Sequence, residues 1–150
     1  MEINLLLHFI FSFIATAAFA VLFQAPKRTL ALCGLVGAVG WTIFKFTSLH
    51  LGYSSFYANF VATLALAVLA ETFARLAKEP ATIFIATGVI PLVPGLGMYK
   101  GMEKIIASYY DQGINILITA GTDSMAIALG VMMVASIFRV LRVRTLSQSS

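Results

Sequence analysis

Long apolar runs separated by short polar stops set the pattern of this chain, and five such runs can be marked off. The first extends from about Asn4 to Phe23 and stops at Gln24-Ala25-Pro26-Lys27-Arg28. The second covers about Thr29 to Leu49, with Lys45 and His50 near its end. The third runs from about Ser54 to Leu76 and is closed by Lys78-Glu79-Pro80. The fourth, about Ala81 to Met102, is interrupted by Pro91, Pro94, Gly95 and Gly97. The fifth runs from about Gln112 to Phe138 and ends in Arg139, Arg142 and Arg144. Each approaches the roughly 20 residues that an α-helix needs to cross a hydrocarbon core of about 30 Å. The pattern predicts an all-α membrane protein of about five transmembrane helices, the fourth broken by Pro91, Pro94 and Gly95. It predicts one polytopic domain over 1–144 and a short polar cytoplasmic tail over 145–150.

Composition removes the soluble alternatives. Of 150 residues, 60% are hydrophobic and 11% charged, and the mean hydropathy is +0.95. A soluble surface takes about 25% charged residues to wet it, so most of this exterior must face lipid. The run from Ile3 to Phe23 follows Glu2 rather than a basic segment, which reads as a retained first helix and not a signal peptide. The single cysteine, Cys33, lies inside an apolar run and reads as a small buried hydrophobe.

The net charge of +4 does not point to nucleic acid, because the basic residues sit in small groups between apolar runs. With five crossings, Lys27, Arg28, Arg75, Lys78, Arg139, Arg142 and Arg144 share one side, and Lys45, Lys100 and Lys104 share the other. The positive-inside rule then places the N-terminus outside and the C-terminus in the cytoplasm. A re-entrant fourth segment would divide the charges more evenly and strand the C-terminal arginines outside.

Chemistry concentrates in two places. In Thr87-Gly88-Val89-Ile90-Pro91-Leu92-Val93-Pro94-Gly95-Leu96-Gly97-Met98-Tyr99, two prolines remove backbone donors, and Gly95 and Gly97 loosen the segment after them. Counting 1.5 Å per residue from Ala81 puts the break near mid-bilayer. Irregular backbone at that depth is tolerated where it is buried in protein or lines a wet cavity. Secondary transporters build substrate sites from such broken helices, aiming the N-terminus of a half-helix at an anionic group; a packing kink is the alternative. Thr87, Gly88, Pro91, Pro94, Gly95 and Tyr99 are the candidate substrate-binding residues. The second place is Asp123, in Gly121-Thr122-Asp123-Ser124. A carboxylate deep in a span costs about 3 kcal/mol on insertion scales and turns to the protein interior. There it could accept a proton, bind a substrate ammonium or pair with a Lys from another subunit; a helix starting later, near Ile118, would instead leave it at the outer interface.

Glu71, a second candidate proton or ion carrier, lies four residues before Arg75, the favourable order for a helix ion pair. Asn59 and Thr63 read as packing polar groups. Gly34, Gly37, Ala38 and Gly40 mark a face for close helix approach. Trp41 and tyrosines 53, 57, 109 and 110 suit interfacial belts. His8, Thr16 and His50 have no metal-ligand spacing, and no hydrolase triad, HExxH or phosphate loop is present. The pattern calls for no catalytic residue, no metal and no cofactor.

Phe23-Gln24-Ala25-Pro26-Lys27-Arg28, followed by Cys33 to Trp41, resembles the opening of the small subunit of the threonine/serine exporter family. Ala81-Thr82-Ile83-Phe84, with Val89-Ile90-Pro91-Leu92-Val93-Pro94-Gly95 and Tyr99, resembles that family's characteristic motif. The likeness extends from about Phe19 to Arg139. It implies a subunit of a bacterial inner-membrane secondary exporter of small carboxylate-bearing metabolites, threonine and serine or a succinate-like dicarboxylate. It implies a larger five-helix partner subunit from a neighbouring gene, with homo-oligomers also open. The competing function is a non-transporting membrane scaffold that only assembles with a partner.

Overall fold

The computed structural model describes residues 5–147, by backbone alone from 141 onward. Six helices follow one another: α1 (Leu5–Leu22), α2 (Leu30–Lys45), α3 (Ser55–Ala77), α4 (Ala81–Val89), α5 (Gly95–Ile106) and α6 (Tyr110–Ser147). Among the described residues there is no strand. Four continuous helical stretches are long and apolar enough to cross a membrane, and α4 with α5 makes a fifth, bent by 46° at the break. Of the tail 145–150, the last three residues lie outside the described ones.

Local chemistry sets the helix ends. Pro26 opens a 3-10 turn that leads into α2, and both the amide and the hydroxyl of Thr29 donate to its carbonyl at 2.8 Å. At the end of α3, Lys78 turns left-handed at φ 56°. The Glu79 amide then closes on the Ala74 carbonyl at 3.1 Å. Pro80, which cannot prolong a helix, starts α4 in the opposite direction.

In lipid the backbones must meet closely, because packing replaces the hydrophobic drive. A Cβ on Gly37 would stand 2.0 Å from the Thr16 hydroxyl of α1. The expected small-residue face of α2 is buried against α1, α3 and α4, and Cys33 is buried within it. α4 lies against α2 and α3, whereas α5 lies against α6.

The direction of α3 relative to α6 decides the crossing count. Ser55 meets Asp123, Thr63 meets Gly130, and Arg75 lies over Phe138. Both numbers rise together, so α3 and α6 run parallel. The intervening α4 and α5 must therefore carry the chain back to the end where α3 began. That makes the broken pair a crossing and not a re-entrant loop. Lys27, Arg28, Arg75, Lys78 and Arg139 consequently gather at one end, where Arg28 pairs with Glu79 across two loops.

Candidate functional site

The break has the form its prolines dictate. α4 ends at Val89, Ile90–Leu92 make one 3-10 turn around Pro91, and Pro94 leads into α5 at Gly95. Its helical face is fixed from inside. Leu92 is buried, and a Cβ placed on Gly40 of α2 would touch both Leu66 and Leu92. The end of the 3-10 turn thus sits level with the middle of α3.

From there the chain moves onto α6. Gly97 stands against Ala120, and Gly101 is set tightly beside Leu117, so α5 and α6 form an antiparallel hairpin. The first turn of α5 therefore points along α6 toward Asp123, one turn beyond Ala120. The N–H groups of Leu96 and Gly97 have no intrahelical acceptor there, and the partial positive charge of the helix N-terminus is directed the same way.

Asp123 is 7% exposed. α6 begins at Tyr110, thirteen residues and about 20 Å earlier, and Asp123 stands level with the first residue of α3. The hydroxyl of Ser55, the first residue of α3, donates to Asp123 Oδ2 at 2.6 Å. The Asn59 amide in turn donates to Ser55 Oγ at 3.4 Å. Asp123 Oδ1 and Asn59 Oδ1 are buried without a hydrogen-bond partner, as is the Thr63 hydroxyl one turn further along. A helix N-terminus on one side, and one aimed along α6 on the other, make this a place for an anion. The two orphan oxygens also offer acceptors to a cation or a proton.

The remaining sequence candidates separate around this point. Thr87 is fully buried, and its hydroxyl donates to the Ile83 carbonyl of its own helix at 2.9 Å. Gly88 is in close contact with Val36, so these two seat α4 against α2. Pro91 shapes the turn, and Pro94 and Gly95 deliver the start of α5 toward Asp123. Tyr99 is 68% exposed, on the outer face of α5. Glu71 lies sixteen residues past Ser55, about 24 Å along α3, so it and Asp123 occupy opposite ends of one helix seam.

The expected Glu71–Arg75 ion pair does not form. The guanidinium of Arg75 lies over the Phe138 ring of α6 at 4.9 Å from its centre, a contact available only once α6 is in place. Trp41 is half-buried near the end of α2, stacked on Phe44 of the same helix with Lys45 over its ring. Tyr53, Tyr57, Tyr109 and Tyr110 are exposed. Sequence reasoning passed over Ser55. The signal was there: Ser55, Asn59 and Thr63 recur every four residues on an apolar helix, which puts them on one face.

A family profile described as "Threonine/Serine exporter, ThrE" matches residues 8–137. An uncharacterized protein of Haemophilus influenzae is 25% identical over 108 residues, 72% of this chain but 36% of the relative. The matched stretch thus spans about a third of that relative's length. No solved structure matches.

Proposed function

The chain belongs to the threonine/serine exporter family, and from that premise we propose that it is a transporting subunit that moves zwitterionic amino acids out through the site around Asp123. The observation that carries this reading is a buried carboxylate with one oxygen held by Ser55 and the other open, toward which the first turn of α5 is aimed. Asp123 takes the substrate ammonium, and the N–H groups of Leu96 and Gly97 take its carboxylate. Ser55 and Asn59 hold the Asp123 side chain in place. A succinate-like dicarboxylate would bring its second charge against Asp123, so the site favours threonine and serine.

Proton coupling follows from the same carboxylate. A proton arriving from outside neutralises Asp123 and releases the ammonium, and loss of that proton to the cytoplasm restores the site. Proton and substrate compete for one group, which is the requirement for exchange. The basic end is cytoplasmic, the N-terminus is outside, and the membrane is the bacterial inner membrane. A larger partner completes the cavity, in keeping with a relative about twice as long as this chain.

Metabolite profiling of the medium from cells with and without the gene, expressed with its neighbour, tests the proposal. Threonine and serine should rise outside the cells that carry it. Asp123→Asn should abolish that rise at an unchanged amount of protein in the membrane. Export of succinate without threonine would overturn the zwitterion site. No change in any metabolite would favour the scaffold.

A further inference from the structure

A second charged site lies at the other end of the α3–α6 seam, in a cavity of about 700 Å³ where α3 ends, α4 starts and α6 passes. Glu71, Arg75, Lys78, Phe138 and Arg139 are among its walls. Glu79 also borders it but is already paired with Arg28. What remains is one carboxylate, Glu71, facing three cations. Arg75 lies over the Phe138 ring at 4.9 Å from its centre, a contact that uses none of its N–H donors for a carboxylate and leaves them to an anion.

Resting on the exporter reading above, we infer that this cavity is the cytoplasmic loading site, where an amino acid places its carboxylate on Arg75 and Arg139 and its ammonium on Glu71 before passing to Asp123. The α3–α6 seam joins the two sites, because Ser55, Thr63 and Arg75 of α3 each meet α6 along it. Asn59 Oδ1 and Thr63 Oγ1 are buried without partners in between, as polar groups along a substrate path would be. The seam is closed midway, where a Cβ on Gly130 would come within 2.9 Å of Thr63. Thr63 and Gly130 are therefore the gate between loading site and Asp123, and the α3–α6 separation must widen there in each cycle.

The test uses the full chain, expressed together with its neighbour, in inverted vesicles. Cys33, the only cysteine, is replaced in C33A, and Ala135 or Ala81, both on the cavity wall, is then replaced singly by cysteine. Saturating threonine or serine should slow maleimide alkylation of A135C at least threefold. Adding Glu71→Gln should raise the half-protecting concentration about tenfold. Adding Asp123→Asn should stop transport yet leave the protection intact. If A135C does not export, A81C carries the same measurement. Labelling indifferent to threonine in an exporting variant overturns the loading site and leaves the exporter reading standing. Protection lost with Asp123→Asn, or governed by acidic phospholipid content and not by threonine, overturns it equally. Absence of amino-acid export by the unmodified chain would remove the exporter reading itself.

Discussion

Single side chains here fix both the packing and the proposed chemistry. Gly37 is the sharpest packing case, since the Cβ of an alanine would fall 2.0, 2.7 and 2.8 Å from three atoms of Thr16. Because one of those atoms is the Thr16 Cβ itself, rotating the side chain cannot clear the clash. Gly37→Ala should therefore destabilise the α1–α2 contact by about 1–3 kcal/mol. Thr16→Gly in the same chain removes all three atoms and should recover part of the loss, despite its own helix cost of about 1 kcal/mol. Thermal melting in detergent, run as a double-mutant cycle, reads that coupling. At Asp123 the order of effects is the prediction. Asp123→Asn removes the charge and Ser55→Ala the hydrogen bond made directly to it, whereas Asn59→Ala removes only the second link. Threonine efflux should fall most in the first, less in the second and least in the third. Ser55→Ala should also cost about 1.5–3 kcal/mol, the usual worth of a hydrogen bond to a charged group.

Among the elements, the broken crossing was the most legible from sequence, and its two prolines explain why. Each removes a backbone donor wherever it stands, so the break follows from residue type without any knowledge of neighbours. The same locality made the α2 small-residue face readable, as a spacing within one helix. The features that could not be read depended on register between helices. That Ser55 reaches Asp123, or that Phe138 draws Arg75 away from Glu71, follows from the parallel alignment of α3 with α6, two helices separated by the whole broken crossing. The start of α6 was similarly obscure. It is set by a left-handed turn at Ser108, φ 65°, and not by a strong apolar boundary. The element-level prediction concerns the break itself. Pro91→Ala with Pro94→Ala lets the helix run on toward α5 and turns its first N–H groups away from Asp123. Export should be lost while the protein still reaches the membrane in normal amount, as judged by efflux alongside immunoblotting of membrane fractions. Undiminished export would mean that the free N–H groups of α5 play no part in binding.

At the scale of the whole molecule, the parallel course of α3 and α6 constrains topology more firmly than charge counting does. Two parallel spans need a full crossing between them, so α4 and α5 together traverse the membrane and the turn at residues 107–109 lies opposite the basic end. The pairing of Arg28 with Glu79 adds that the α1–α2 and α3–α4 connections lie on one side. Arg75, Lys78 and Arg139 lie at that same end, the one proposed above as cytoplasmic on the positive-inside rule. Reporter fusions can separate this arrangement from a re-entrant fourth segment, because the two differ at one loop and at the C-terminus. Alkaline phosphatase fused after Gly52 should be active in either arrangement. Fused after Ser108 it should be active only if the broken pair crosses. A fluorescent protein at the C-terminus should then fold and glow in the cytoplasm. An inactive fusion after Ser108, together with a dark C-terminal fusion, would mean that α5 returns to the side it left, and the shared level of α5 and Asp123 would have to be abandoned with it.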